Sequence, residues 1–160
     1  MSFDPNANRV ALADQIRSVL ASSSQPANVQ AHPQGSPDLN AVLIMPRAGD
    51  SGLYVEFRGT YGPNSLCTQH LWVELRVRGD SPAADIAMDR YLTPGLPECI
   101  WDAIEPRDAN GVTDNTLGIS GLSCIAELGA SPPTWFTDEA GSRTWLSARV
   151  AVKITQQRGT

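Results

Sequence analysis

Residue types that could perform covalent or metal chemistry are few in this sequence. The two histidines, His32 and His70, are far apart, and the three cysteines form no Cys-x-x-Cys pair. Metal sites use such residues at short, recognisable spacings, so no metal site is predicted. The segment 118–121, Gly-Ile-Ser-Gly, lacks the spacing of a hydrolase nucleophile. We therefore predict no enzymatic activity and no cofactor, with both histidines at the surface or at a sheet edge.

Aromatic and charged residues on the polar faces of predicted strands are more informative. Trp72 and Trp145 project among arginines on these faces, and exposed aromatics beside arginine are the composition of an interface core. The predicted protein-interface residues are Tyr61, Trp72, Arg76, Arg78, Trp135, Phe136, Trp145 and Arg149. The alternative for the charged members is an ordinary solvated face, on which opposite charges pair across strands.

Strands must position most of these residues. Apolar and polar residues alternate in 71–78 and again in 144–154, which predicts two strands with one buried face each. Further strands are predicted at 39–45, 53–58 and 122–128. Tyr61 then lies in a hairpin loop, and Trp135 and Phe136 lie in a long proline-rich connection, 129–141. Such long loops with large aromatics are interpreted as segments that a partner orders.

Helical patterns complete the prediction. Asp4 and Pro5 form an N-cap and first position, and a helix with one apolar face follows to about residue 22. Ser81-Pro82 and Pro97 begin two further helices, the second ending before Pro106. We predict a single domain over 1–160, frayed at 155–160. Its expected fold is α+β, with a mostly antiparallel sheet of four to five strands and the N-terminal helix and central helix pair on one face.

Composition restricts the partners. The chain has a net charge of -5 and a pI near 4.9, so it lacks the basic surface of a nucleic-acid-binding protein. An acidic surface can still line a channel through which DNA slides. No apolar run is long enough for a membrane span, and residues 1–6 lack a signal-peptide pattern. The three scattered cysteines predict reduced, buried thiols, and eleven arginines against one lysine hint at GC-rich coding.

In the order of its segments and in their local residue patterns, the chain resembles the tail terminator proteins of long-tailed, non-contractile bacteriophages. The expected source is an actinobacterial phage. The resemblance covers most of the chain. It rests on the helix 10–20, the stretch 41–46 before a hairpin, the central strand 71–78, the turn 89–95, the helix 99–104, the pair 117–118 before the penultimate strand, and the strand 145–150.

The resemblance implies a virion structural protein at the head-proximal end of the tail, assembled in the host cytoplasm. It would form a homo-hexameric ring, stop polymerisation of the tail tube protein, and join the tail to the head-tail connector or head completion protein. DNA would only pass through the ring. The near alternative is another head-tail joining component. A different class, a small intracellular ligand-binding domain or enzyme, would need a pocket near His70 or Asp102.

Overall fold

The computed structural model describes residues 3–23, 27–33, 40–59, 65–79, 81–138 and 143–157. Three helices lie in this part of the chain: α1 (Pro5–Leu20), α2 (Pro82–Tyr91) and α3 (Ile100–Ile104). Its seven strands are β1 (Asn28–Gln30), β2 (Ala41–Pro46), β3 (Val55–Phe57), β4 (Leu66–Arg78), β5 (Leu122–Ala130), β6 (Thr134–Thr137) and β7 (Thr144–Gln157). All seven belong to one sheet.

The sheet is larger than the sequence pattern predicts. Its path is β1-β2-β4-β7-β5, with β3 also paired to β4 and β6 also paired to β7. The β1–β2 pair is parallel and the other pairs are antiparallel, so the sheet is mixed. The predicted α+β fold with four to five mostly antiparallel strands is therefore wrong: sheet dominates this structure. Strands of three or four residues carry too little periodicity to be seen without their partners.

Strands β4 and β7 form the centre of the sheet. They pair without interruption from Leu66 opposite Gln157 to Arg78 opposite Trp145. The strand predicted at 71–78 therefore begins earlier, at Leu66, and has 13 residues. The predicted fraying at 155–160 is wrong for 155–157, because pairing with β4 holds them in β7; residues 158–160 lie outside the described part of the chain. This long pair fixes the register of the side chains on both faces.

The helices cover one face of the sheet. Asp4 caps α1 as predicted, since its Oδ1 accepts hydrogen bonds from the backbone N–H groups of Asn6 at 3.0 Å and Ala7 at 3.1 Å. The predicted buried face of β4, formed by Leu71, Val73, Leu75 and Val77, is confirmed. It packs with apolar residues of β7 and with Leu12, Ile16, Met88, Tyr91, Ile100 and Ile104 from the three helices. Each fully buried side chain of this size contributes roughly 1.5–3 kcal/mol.

The two outer strands beyond β7 differ in how their outer edges are covered. The outward N–H of Cys124 on β5 donates to the Asn115 carbonyl at 2.7 Å, and that of Ala126 donates to Glu105 Oε2 at 3.2 Å. Residues within 105–115 therefore satisfy the outward N–H groups along this part of the β5 edge. Strand β6 pairs with β7 on one side, and no described strand pairs with its other side. An open strand edge is a template for pairing with another chain.

Candidate interaction surface

The face of the sheet opposite the helices carries polar and aromatic side chains. Residues directly opposite each other in an antiparallel pair project to the same face. Glu74 lies opposite Arg149, Arg76 opposite Ser147, and Trp72 opposite Ala151. We call this side of the sheet the polar face. It contains Trp72, Arg76, Arg78, Phe136, Trp145 and Arg149 from the predicted interface set.

Glu74 organises the centre of the polar face. Its side chain is only 4% exposed, yet both carboxylate oxygens have charged partners. Arg149 Nε donates to Oε1 at 2.8 Å, and Arg76 Nε donates to Oε2 at 2.6 Å. A buried carboxylate is costly unless it is paired in this way. Glu74 therefore holds two guanidinium groups from adjacent strands in fixed positions.

Aromatic rings stack against three guanidinium groups on the polar face. The Trp72 ring centroid lies 5.3 Å from Arg47 Cζ and 5.9 Å from Arg149 Cζ. The Phe136 ring centroid lies 5.0 Å from Arg76 Cζ. These distances are within the range of cation–π attraction, which is strongest for Trp. The rings limit the freedom of the arginine side chains and so preorganise this surface.

Arg47 was missed by the sequence prediction, because it lies in the connection between the strands predicted at 39–45 and 53–58. It is buried, and its Nε donates to the Leu71 carbonyl at 3.2 Å. Its Nη2 donates to Glu127 Oε2 at 2.8 Å and lies 3.3 Å from His70 Nδ1. Arg47 thereby connects β4 with β5. Its hydrogen-bonding partners lie 23 to 105 residues away in the sequence, and a lone arginine after an apolar strand gives no signal of them.

His70 is also buried, so its predicted position at the surface or a sheet edge is wrong. Its Nε2 bonds to the Glu56 carboxylate, which also accepts a hydrogen bond from Ser51 Oγ. The hydrogen bond from Ser51, followed by that from His70, lowers the pKa of Glu56. A catalytic serine would need to donate to the histidine, whereas here the carboxylate lies between them. This arrangement is therefore an electrostatic network rather than a nucleophilic triad.

The hydrogen-bond network of Ser51, Glu56 and His70 requires a glycine at residue 49. A Cβ at this position would lie 2.5 Å from His70 Nε2. The backbone of the β2–β3 connection can therefore approach the imidazole only without a side chain at residue 49. His32, by contrast, is exposed, and its Nε2 lies 2.7 Å from Asn6 Oδ1.

The other predicted interface residues differ in their exposure and in the face of the sheet on which they lie. Trp145 has the predicted orientation, but its side chain is fully buried, so its predicted exposure is wrong. Trp135 is 44% exposed and lies opposite Leu146, on the helix side of the sheet edge. Arg78 is exposed at the end of β4. Tyr61 lies outside the described residues.

The segment holding Trp135 and Phe136 was predicted to be a loop that a partner orders. Instead, both residues belong to β6, which pairs with β7 of the same chain. Phe136 lies opposite Trp145, on the polar face. The prediction of a partner-ordered loop is therefore wrong for residues 134–137.

A cleft of about 480 Å³ opens between the Glu74 cluster and the start of β6. Its lining includes Glu74, Arg76, Arg149, Ser131, Thr134 and Phe136. Ser131 also continues the ladder beside β7, because its N–H donates to the Arg149 carbonyl and its Oγ accepts from the Arg149 N–H. The cleft thus combines two arginines, hydroxyl groups and an aromatic ring next to an open strand edge.

A second depression lies among α1, α3 and the prolines between the helices. It has a volume of about 650 Å³ and is lined by Val19, Pro94, Pro97, Asp102 and Arg107, among others. The Asp102 carboxylate there accepts a hydrogen bond from the Gly95 N–H at 2.9 Å. Its charge is therefore used to hold the turn before α3.

The thiols are poorly placed for nucleophilic work. Cys67, Cys99 and Cys124 are all free and buried. Burial, together with the nearby Glu105 carboxylate, raises the pKa of Cys124 to about 12, and burial also raises the pKa of Cys99. Raised values suppress the reactive thiolate. Within the described ranges, no three His, Cys, Asp or Glu side chains converge as a metal site requires, and no helix has the length and apolarity to cross a membrane.

Comparison of the sequence with protein-family models and with curated proteins gives no match in either case.

Proposed function

We propose that this chain is a virion structural protein, a tail terminator that assembles into a ring at the head-proximal end of a phage tail tube. The proposal rests on the resemblance described above and is supported by one observation in particular. Trp72 lies partly exposed on the polar face, between Arg47 and Arg149, whose guanidinium groups are already held in position by their ion pairs. Arginine and aromatic residues at a fixed position are the side chains that carry most binding energy in interfaces.

In this role the chain acts by binding rather than by catalysis. A closed ring would pair or cover the open strand edges of its subunits. Its expected partners are further copies of itself, the tail tube protein, and the head-tail connector. The net charge of -5 is compatible with DNA passing through a ring without being held.

The test is assembly of the purified full chain. We expect sedimentation to show an oligomer and negative-stain images to show rings with a central hole. We also expect that adding the protein shortens the tubes formed by the tail tube protein. Trp72→Ala should lower the ring fraction while the subunit stays folded. Val112→Ala, which alters another exposed apolar residue in the connection between α3 and β5, is the control. A chain that stays monomeric at all concentrations and leaves tube length unchanged would contradict the proposal.

A second candidate is a ligand-binding domain that uses the depression at Asp102, whose volume is within the range of small-molecule sites. It has less support, because the carboxylate there is already occupied by the Gly95 N–H. Another head-tail joining component is the near alternative to the terminator. Binding to the connector without any effect on tube length would favour that alternative.

A further inference from the structure

The two arginines on Glu74 retain most of their hydrogen-bonding capacity. A guanidinium has five N–H donors, and Glu74 engages only Nε of Arg76 and Nε of Arg149. No hydrogen bond joins the terminal amino groups of these two arginines to other described residues. One carboxylate also offsets only one of the two positive charges. The cluster therefore keeps one positive charge and several free donors within a chain that is negative as a whole.

These donors are held in place before any ligand arrives. The side chain of Arg76 is 24% exposed and stacks on Phe136, while that of Arg149 is 47% exposed and stacks on Trp72. The Glu74 carboxylate accepts a hydrogen bond from each of them and so fixes both side chains. Groups that are already ordered lose little conformational entropy on binding. Two preorganised guanidinium groups are well suited to a carboxylate, which they can bind through paired N–H donors.

The shape of the cleft indicates where this carboxylate comes from. At about 480 Å³ the cleft is much larger than one carboxylate, and its wall includes Thr134 and Phe136 of β6. These two residues alternate with Trp135 and project to the polar face. A strand added to the open edge of β6 would project every second side chain to that same face. An extended polypeptide can thus fill the cleft and reach the arginines together.

We propose that the cleft binds an extended acidic segment of a partner polypeptide, which pairs with the outer edge of β6 and places a carboxylate side chain against Arg76 and Arg149. This inference goes beyond the proposed function and does not require ring formation, because a single subunit contains the whole site. Failure of the chain to form rings would leave it intact. Loss of the cleft interaction would likewise leave other ring contacts possible.

The test uses the full chain and a blocked heptapeptide of alternating threonine and glutamate, titrated calorimetrically at low and at moderate salt. The same peptide with glutamine for glutamate, and free glutarate, are the comparison ligands. We expect Arg76→Gln and Arg149→Gln each to weaken binding by about tenfold, the loss of one charge-assisted hydrogen bond. Arg58→Gln, at an exposed arginine outside the cleft, should have no effect. Hydrogen exchange should show slower exchange of β6 amides with peptide bound.

Thermal unfolding of each variant verifies that it is folded, and Glu74 keeps one arginine partner in each of the two cleft variants. Equal binding of the glutamine peptide would overturn the proposal, as would an equal loss in Arg58→Gln or no binding at millimolar peptide. Glutarate binding as tightly as the peptide would identify a small-anion site and overturn the assignment to a polypeptide. Unchanged exchange in β6 would overturn strand pairing at this edge.

Discussion

Glu74 of β4 lies directly opposite Arg149 of β7, and Arg149 Nε donates to Glu74 Oε1 over 2.8 Å. Arg76, two residues further along β4, donates to the other oxygen of the same carboxylate. One buried acid thus orders two arginines at the centre of the polar face. This relationship links stability to binding. The Glu74 carboxylate can be buried only because Arg76 and Arg149 neutralise it, and the same ion pairs hold the two arginines in position for a partner.

Replacing Glu74 tests the stability side of this relationship. Glu74→Gln removes the charge and turns an amide N–H₂ toward an arginine donor, so we expect a loss of about 1.5–3 kcal/mol in the free energy of unfolding. Asp14→Asn is the matched control: its ion pair with Arg17 is exposed and should be worth about 0.5 kcal/mol or less. Urea unfolding measures both. Equal losses in the two variants would show that Glu74 is not an organising group.

Gly49 should be intolerant of even a methyl group because of the His70 ring. The Gly49→Ala Cβ would lie 2.5 Å from His70 Nε2, so the ring must move away from Glu56. We expect a destabilisation of about 1–3 kcal/mol, as for other overpacked sites. In a His70→Ala background the same substitution should cost far less, since the clashing ring is absent. A purely additive double-mutant cycle would contradict the contact.

Glu56 should make stability depend on pH in acid. Hydrogen bonds from Ser51 and then His70 hold the pKa of Glu56 below its ordinary value of 4.5. Because the pKa is lower in the folded state, the ionised carboxylate stabilises the fold above the unfolded-state value, and this contribution is lost as pH falls through the folded-state pKa. Glu56→Gln should therefore be less stable than the wild type at neutral pH, and the difference should shrink in acid. A difference that is constant with pH would rule this out.

The two tryptophans of β4 and β7 should respond differently to truncation. Trp145 is fully buried, so Trp145→Ala should reduce the free energy of unfolding by about 3–5 kcal/mol. Trp72 is partly exposed and stacks on two guanidinium groups, so Trp72→Ala should cost less stability and act mainly on association. Chemical unfolding combined with sedimentation separates these effects. Similar losses of folding stability in the two variants would contradict the distinction.

The sequence alone determined which side of each long strand faces the core. Alternation in 71–78 predicted the buried residues Leu71, Val73, Leu75 and Val77, and Asp4 with Pro5 predicted the beginning of α1. These features could be predicted because strand periodicity and helix capping depend on residues within a few positions of one another.

Only the tertiary structure decided how much of the other face is exposed and which residues meet on it. Trp145 has the predicted orientation but is buried, and β6 forms where a loop was predicted because β7 provides its hydrogen-bonding partner. Arg47 reaches Glu127 across 80 residues of sequence. Alternation reports the side of a strand on which a residue lies, whereas exposure and ion pairing depend on neighbours that only the long-range pairing of strands brings together.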